Sequence, residues 1–240
     1  MQKKLTDYYP SHKQDKLIQS FHAFTLYGCT KYPYATDKLI FKHDLIDCFV
    51  DCQNTLSIYA GDFISEGTLL CIEEGIIGST PHIANVLTTR IDIAEELWPR
   101  DDFDFYEKVR SNTWEYMDDL APMSLQKKHA LFPFASKFNH SCTPNAHVIT
   151  CGLPLYDNEY VGGICVYAVK DIHNGQEVCV NYGYDVGHSE DTVFSWSCQC
   201  GLDKKTRKRI MRETYDYVET CYKEDRDMIE QVCYDKTKLE

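Results

Sequence analysis

Two short segments bring together side chains that could do chemistry. Phe138-Asn139-His140-Ser141-Cys142-Thr143-Pro144-Asn145 sets amide, imidazole, hydroxyl and thiol groups around a proline-held turn inside an apolar stretch. Asp171-Ile172-His173-Asn174-Gly175-Gln176-Glu177-Val178 leads into Asn181-Tyr182-Gly183-Tyr184. Taken alone, Asn139, His140 and Asn145 are turn formers that bond to their own backbone. A tyrosine in a strand is usually core, and with 17 tyrosines in the chain the residue type singles out none of them. A phenol with a pKa of about 10 is a poor base at neutral pH, so a tyrosine here would orient reactants rather than take a proton.

The elements that must position these segments can be read from periodicity. Leu17, Ile18, Phe21, Phe24 and Leu26 recur at helical spacing, which predicts a leading helix from about His12 to Tyr27. From Leu56 to Ile77 short apolar runs broken by Gly61, Gly67 and Gly75 predict strands joined by turns. Between Pro81 and Lys128, Ile91, Ala94, Leu97 and Trp98, then Phe105, Val109, Trp114 and Met117, predict two or three inserted helices. From Ala130 to Tyr184 the pattern returns to strand and turn, with Ile164–Val169 apolar enough for an interior strand. After Gly201, Ile210, Met211, Tyr215, Val218, Tyr222, Ile229 and Val232 predict a terminal helix.

Composition bounds the function. The 240 residues, 43% of them hydrophobic, can bury a substantial core. No run approaches the roughly 18 apolar residues of a membrane span, and the start of the chain lacks a signal-peptide core, which predicts an intracellular protein of nucleus or cytoplasm with no membrane partner. Twelve cysteines are then reduced thiols, most of them small buried hydrophobes. The net charge of -12 argues against direct nucleic-acid binding through phosphates and favours a basic protein partner. Lys204-Lys205-Thr206-Arg207-Lys208-Arg209, the one basic cluster, reads as the solvated first turn of the terminal helix, with a nuclear-import address as its alternative.

In order and spacing the two segments resemble the SET-domain protein-lysine methyltransferase family. They match its Asn-His-Ser-Cys-x-Pro-Asn motif, an Ala-x-x-Asp-Ile-x-x-Gly-x-Glu strand entry beginning at Ala168, and a closing tyrosine. The resemblance covers about residues 55 to 201 and is densest from Leu131 onward. Leu131-Phe132-Pro133 is similar to the split-SET members, although no cysteine-rich insertion like theirs is present; Tyr182-Gly183-Tyr184-Asp185 is similar to histone-methylating members. The resemblance implies an α+β SET fold, mostly β with a pseudoknot, carrying inserted helices and a helical C-terminal tail. It divides the chain into a partly helical N-terminal extension at 1–53, the SET domain at 54–197 with a helical insertion at about 81–128, and a post-SET-like segment with the C-terminal helix at 198–240.

By the same resemblance the activity is S-adenosylmethionine-dependent lysine N-methylation of a basic protein such as a histone, in chromatin. Tyr182 is the expected catalytic residue. Asn54, Leu56, Ser57, Ser136, Asn139, His140, Tyr182 and Trp196 are expected at the cofactor, and Val180 and Tyr184 along the substrate-lysine channel. Cys142, Cys198 and Cys200 supply three of the four ligands that a tetrahedral zinc requires. Asp203, Cys221, Cys233 or water would complete the set. This incomplete cysteine set and two departures motivate the alternative of a catalytically weakened SET-fold binding module. Thr55 and Ser57 replace glycines that let the backbone approach the cofactor, and Glu73 replaces an aromatic residue, so that it either faces away from the channel or recruits the substrate ammonium at its mouth.

Overall fold

The computed structural model describes residues 30–31, 38–50, 56–77, 113–117, 127–155, 159–183, 198 and 200–238. The expected helix at 12–27 lies outside them, as do Asn54, Thr55, Tyr184, Trp196 and most of the segment at 81–128. Twelve strands are described: β1 (Thr30–Lys31), β2 (Leu39–Lys42), β3 (Ile46–Val50), β4 (Leu56–Ala60), β5 (Leu69–Glu74), β6 (Ile76–Ile77), β7 (Thr113–Met117), β8 (Lys127–Leu131), β9 (Asn139–His140), β10 (Ala146–Leu155), β11 (Glu159–Ala168) and β12 (Cys179–Val180). They are followed by one long helix, α1 (Lys204–Thr237).

The sheet β10-β11-β5-β2 separates two cores. Alternation along β11 sends Ile164, Val166 and Ala168 to the first core and Cys165, Tyr167 and Val169 to the second. The strand is apolar almost without interruption because both of its faces are covered. The covering element on the second face is α1, whose Val218, Ile229 and Cys233 are buried against Leu69, Ile149 and Tyr167. Asp203 caps this helix, its carboxylate accepting from Thr206 N at 2.9 Å and from Thr206 Oγ1 at 2.6 Å. Arg207 in the basic cluster is buried and donates to the Leu202 carbonyl, so the cluster is the capped opening of a packed helix.

One expectation needs correction. Trp114 and Met117, expected in inserted helices, lie in β7, which pairs antiparallel with β8. Their local spacing suits a helix, and the sheet partner overrides it. Strands from before residue 53 pack with those that follow it. β2 pairs with β5 and β3 with β4, and Ile46 and Cys48 sit in the same core as Ile58 and Phe138.

Gly75 marks a point of close approach. A Cβ there would lie 2.8 Å from Ala130 Cβ and 3.2 Å from the Gly162 carbonyl. Just before it, Glu73 is fully buried, and its two carboxylate oxygens accept from Phe134 N and Ala135 N, each at 2.8 Å. Glu73 therefore anchors the 3-10 turn Ala135–Lys137, which leads into Asn139. Glu73→Gln keeps one acceptor and sets an amide against a backbone N–H, and it is expected to cost about 2 kcal/mol in urea denaturation.

His43 and His147 are both buried, and desolvation lowers the pKa of each to about 4; at His43 nearby Asp44 partly offsets it. His147 Nδ1 lies 3.1 Å from Thr214 Oγ1 and so links β10 to α1. In the unfolded chain both imidazoles take up protons near pH 6.5. Stability should therefore be full above that pH and fall as pH drops toward 4, because the unfolded state binds the extra protons. His147→Gln should flatten the loss measured by denaturation at about pH 7 and pH 5.

Candidate active site

The site forms where the chain crosses itself. Residues 176–180 run between β4 and β9. On one side Ala60 N donates to Gln176 O at 2.9 Å and Val178 N to Ile58 O at 2.7 Å. On the other, β12 pairs in parallel with β9, Cys179 opposite Asn139 and Val180 opposite His140, and Ser141 N donates to Val180 O at 2.8 Å. The Asn145 side chain closes the crossing, donating from Nδ2 to Glu177 O at 2.8 Å and accepting from Cys179 N at 2.8 Å.

This crossing brings the expected residues together. Asn139 Nδ2 lies within hydrogen-bond reach of Leu56 O (3.0 Å), Ser57 Oγ (2.8 Å) and Glu177 Oε1 (2.7 Å). Two obligate acceptors around this atom, the Leu56 carbonyl and the Glu177 carboxylate, identify it as the amide nitrogen. Among the described residues none donates to Asn139 Oδ1, which leaves an acceptor for an incoming ligand. Ser57 is buried, and its hydroxyl helps to hold Asn139. Ser136 Oγ accepts from Lys137 Nζ at 3.0 Å on the turn before Asn139.

Tyr182 is half-buried, and its hydroxyl donates to the Phe138 carbonyl at 2.5 Å. Its N–H donates to His140 Nδ1 at 3.1 Å, and the two rings lie 5.3 Å apart. Burial first, then the negative charge of Cys179 and Glu177, push the phenol pKa well above its ordinary value. The group stays a neutral donor at physiological pH. Beside it, Asn181 is buried; Oδ1 accepts from Gly183 N at 2.8 Å, while Nδ2 has no hydrogen-bond partner. A buried amide donor left unspent costs free energy, and it fits a site built to receive a polar ligand.

Val180, expected along the lysine channel, is fully buried in the first core with Val178, because alternation turns both inward. Glu177, read in the sequence only as part of a strand entry, is the residue that reasoning missed. Its carboxylate meets Asn139 and its carbonyl meets Asn145. Glutamate before a hydrophobic strand carries no local mark of such a role.

The cysteines also converge. Cys142 Sγ lies 3.6 Å from Cys198 Sγ, and His140 Nε2, Cys142 Sγ and Cys198 Sγ all lie within 4.8 Å of one another. Burial, then contacts with Cys200 and Cys198, raise the Cys142 thiol pKa. At Cys200 burial is the largest single influence and raises the pKa, yet the Leu202 N–H, the contacts with Cys142 and Cys198 and the charge of Arg207 together outweigh it, so the pKa is lowered. Three soft donors at one point fit a thiophilic ion such as zinc. The candidates for a fourth ligand fare worse. Cys221 and Cys233 lie on α1 and face the second core, and both Asp203 oxygens serve the helix cap.

Asn139→Asp would set a carboxylate against the Leu56 carbonyl and the Glu177 carboxylate, leaving only the Ser57 hydroxyl able to donate to it. It should cost at least about 2 kcal/mol in thermal or urea unfolding at neutral pH and exceed the loss in Asn139→Ala.

The chain is similar in sequence to known proteins. The SET domain family model matches residues 55–183, more than half of the chain. A SET domain-containing protein of Acanthamoeba polyphaga mimivirus is 22% identical over 163 residues, 66% of this chain and 50% of that protein. The human protein-lysine N-trimethyltransferase SMYD5 is 28% identical over 118 residues, 49% of this chain and 22% of that protein. The chain thus spans half or less of the length of these two relatives. A Plasmodium falciparum crystal structure described as a histone methyltransferase superposes at 18% identity with a TM-score of 0.36, over 60% of this chain and 95% of that one. The strand crossing that carries Asn139 and Tyr182 lies inside the matched range, and the chain belongs to the SET domain family.

Proposed function

We propose that the protein is an S-adenosylmethionine-dependent protein-lysine N-methyltransferase acting on a basic protein, with a histone tail as a candidate substrate. The observation that carries this reading is the Tyr182 hydroxyl, held on the Phe138 carbonyl at the seam between β9 and β12. The cofactor supplies an electrophilic methyl group on a sulfonium. Asn139 Oδ1 is suited to accept from its ammonium, and Ser57 and Leu56 steady the asparagine that does so. Asn54, Ser136 and Trp196 complete the proposed pocket, and Tyr184 borders the lysine channel.

Tyr182 acts by orientation. A neutral phenol anchored through its proton presents oxygen lone pairs, which can align the lysine amine and the transferring group for in-line displacement. Proton loss from the lysine is left to its surroundings, since desolvation and a nearby sulfonium charge both disfavour ammonium. The net charge of -12 favours approach of a lysine-rich partner. Ser57 supports activity over the weakened-module alternative, because its hydroxyl takes part in placing Asn139.

The test is cofactor binding by calorimetry, then methyl transfer to a protein mixture read by mass spectrometry. Tyr182→Phe keeps the ring and loses the hydroxyl. Turnover should fall at least about tenfold, roughly 1.4 kcal/mol of barrier, with cofactor affinity little changed because the contact matters in the transition state. Full turnover in this variant would remove Tyr182 from its role. No cofactor binding by the folded parent would overturn the reading itself.

A further inference from the structure

His140 stands between the two halves of the site. Its Nδ1 accepts from Tyr182 N at 3.1 Å, and its Nε2 lies 3.1 Å from Cys142 Sγ. A backbone amide offers only a hydrogen, so Nδ1 must present its lone pair. The proton of a neutral imidazole then sits on Nε2, which leaves that nitrogen no lone pair for a metal.

Distances point the same way. Ligands on a tetrahedral zinc, with Zn–N of about 2.0 Å and Zn–S of about 2.3 Å, stand roughly 3.5 Å or more apart. The Cys142–Cys198 separation of 3.6 Å fits such an edge, and the His140–Cys142 separation of 3.1 Å is shorter than one. It suits an N–H donor resting on sulfur.

We propose that His140 is a positioning residue and not a metal ligand: it donates Nε2–H to the Cys142 sulfur and accepts the Tyr182 N–H, joining the cysteine cluster to the tyrosine segment through one ring. Its catalytic consequence rests on the methyltransferase reading above. A sulfur that ligates a metal is steadied by such a donor, and the donor ring is steadied in turn. Occupancy of the Cys142, Cys198 and Cys200 site therefore reaches Tyr182 through two hydrogen bonds. The tilted packing of the two rings, 5.3 Å between centroids, limits the movement that either can make alone.

The deciding measurement is the tautomer of His140 by 15N NMR in the whole chain, without metal and loaded with 113Cd, its signals assigned by their loss in His140→Ala. The expected result is protonated Nε2, bare Nδ1 and no cadmium splitting at either nitrogen. Protonated Nδ1, or a 113Cd splitting at Nε2, would overturn the proposal. His140→Ala should retain the metal equivalents of the parent and lower turnover about tenfold. Loss of bound metal in that variant would make His140 a ligand, and unchanged turnover would deny it a positioning role. If His140→Ala does not fold, the remaining histidines are assigned by their own substitutions and the parent spectrum decides. A parent that shows the expected tautomer and transfers no methyl group would sink the functional reading and leave the hydrogen-bond assignment intact.

Discussion

The packing of residues 176–180 between β4 and β9 is the constraint on which the rest of the structure depends. A segment bonded on both sides has little freedom to shift in register, since a slip by one residue would exchange its buried and exposed faces. Val178 and Val180 fill the first core from this segment. Asn181 and Tyr182 are then delivered to the far side of β9, at the height where His140 and the Phe138 carbonyl receive them.

Buried polar side chains do much of the joining. Glu73 holds the turn that leads into Asn139, Asn139 ties that turn to β4 and to Glu177, and Asn145 ties Glu177 and Cys179 back to the start of β10. Each such group loses its water on folding, and each is worth keeping only while its partners stay in place. The network therefore specifies one arrangement of four distant segments more sharply than apolar packing alone would. Its cost is offset by two cores, one of them completed by α1.

The helix also explains where the cysteines belong. Ten free thiols are described, and most are explained by packing. Cys71, Cys165 and Cys233 are buried around the central sheet; burial raises the pKa of Cys71 and Cys233, and contact with the Cys151 thiol, then burial, raises that of Cys165, which keeps all three inert. Cys142, Cys198 and Cys200 differ because they meet one another at the edge of the crossing, one of them exposed.

The sequence by itself determined the family, the strand character of the two motif segments and the terminal helix. Each of these is written in local order: long motifs at fixed spacing, an apolar run at Ile164–Val169, and helical periodicity after Gly201. It also marked Asn139, Tyr182 and the three cysteines, which the structure gathers at one crossing. Tertiary structure decided the rest. Trp114 and Met117 follow a sheet partner and not their own periodicity, and Ile46 and Cys48 join the core from beyond the expected boundary. Val180 turns inward, Glu73 turns to two backbone amides, and Glu177 becomes a partner of Asn139. Local sequence records which groups a chain carries; the direction in which a carboxylate or valine points depends on which distant backbone arrives beside it, and only the folded arrangement brings that backbone there.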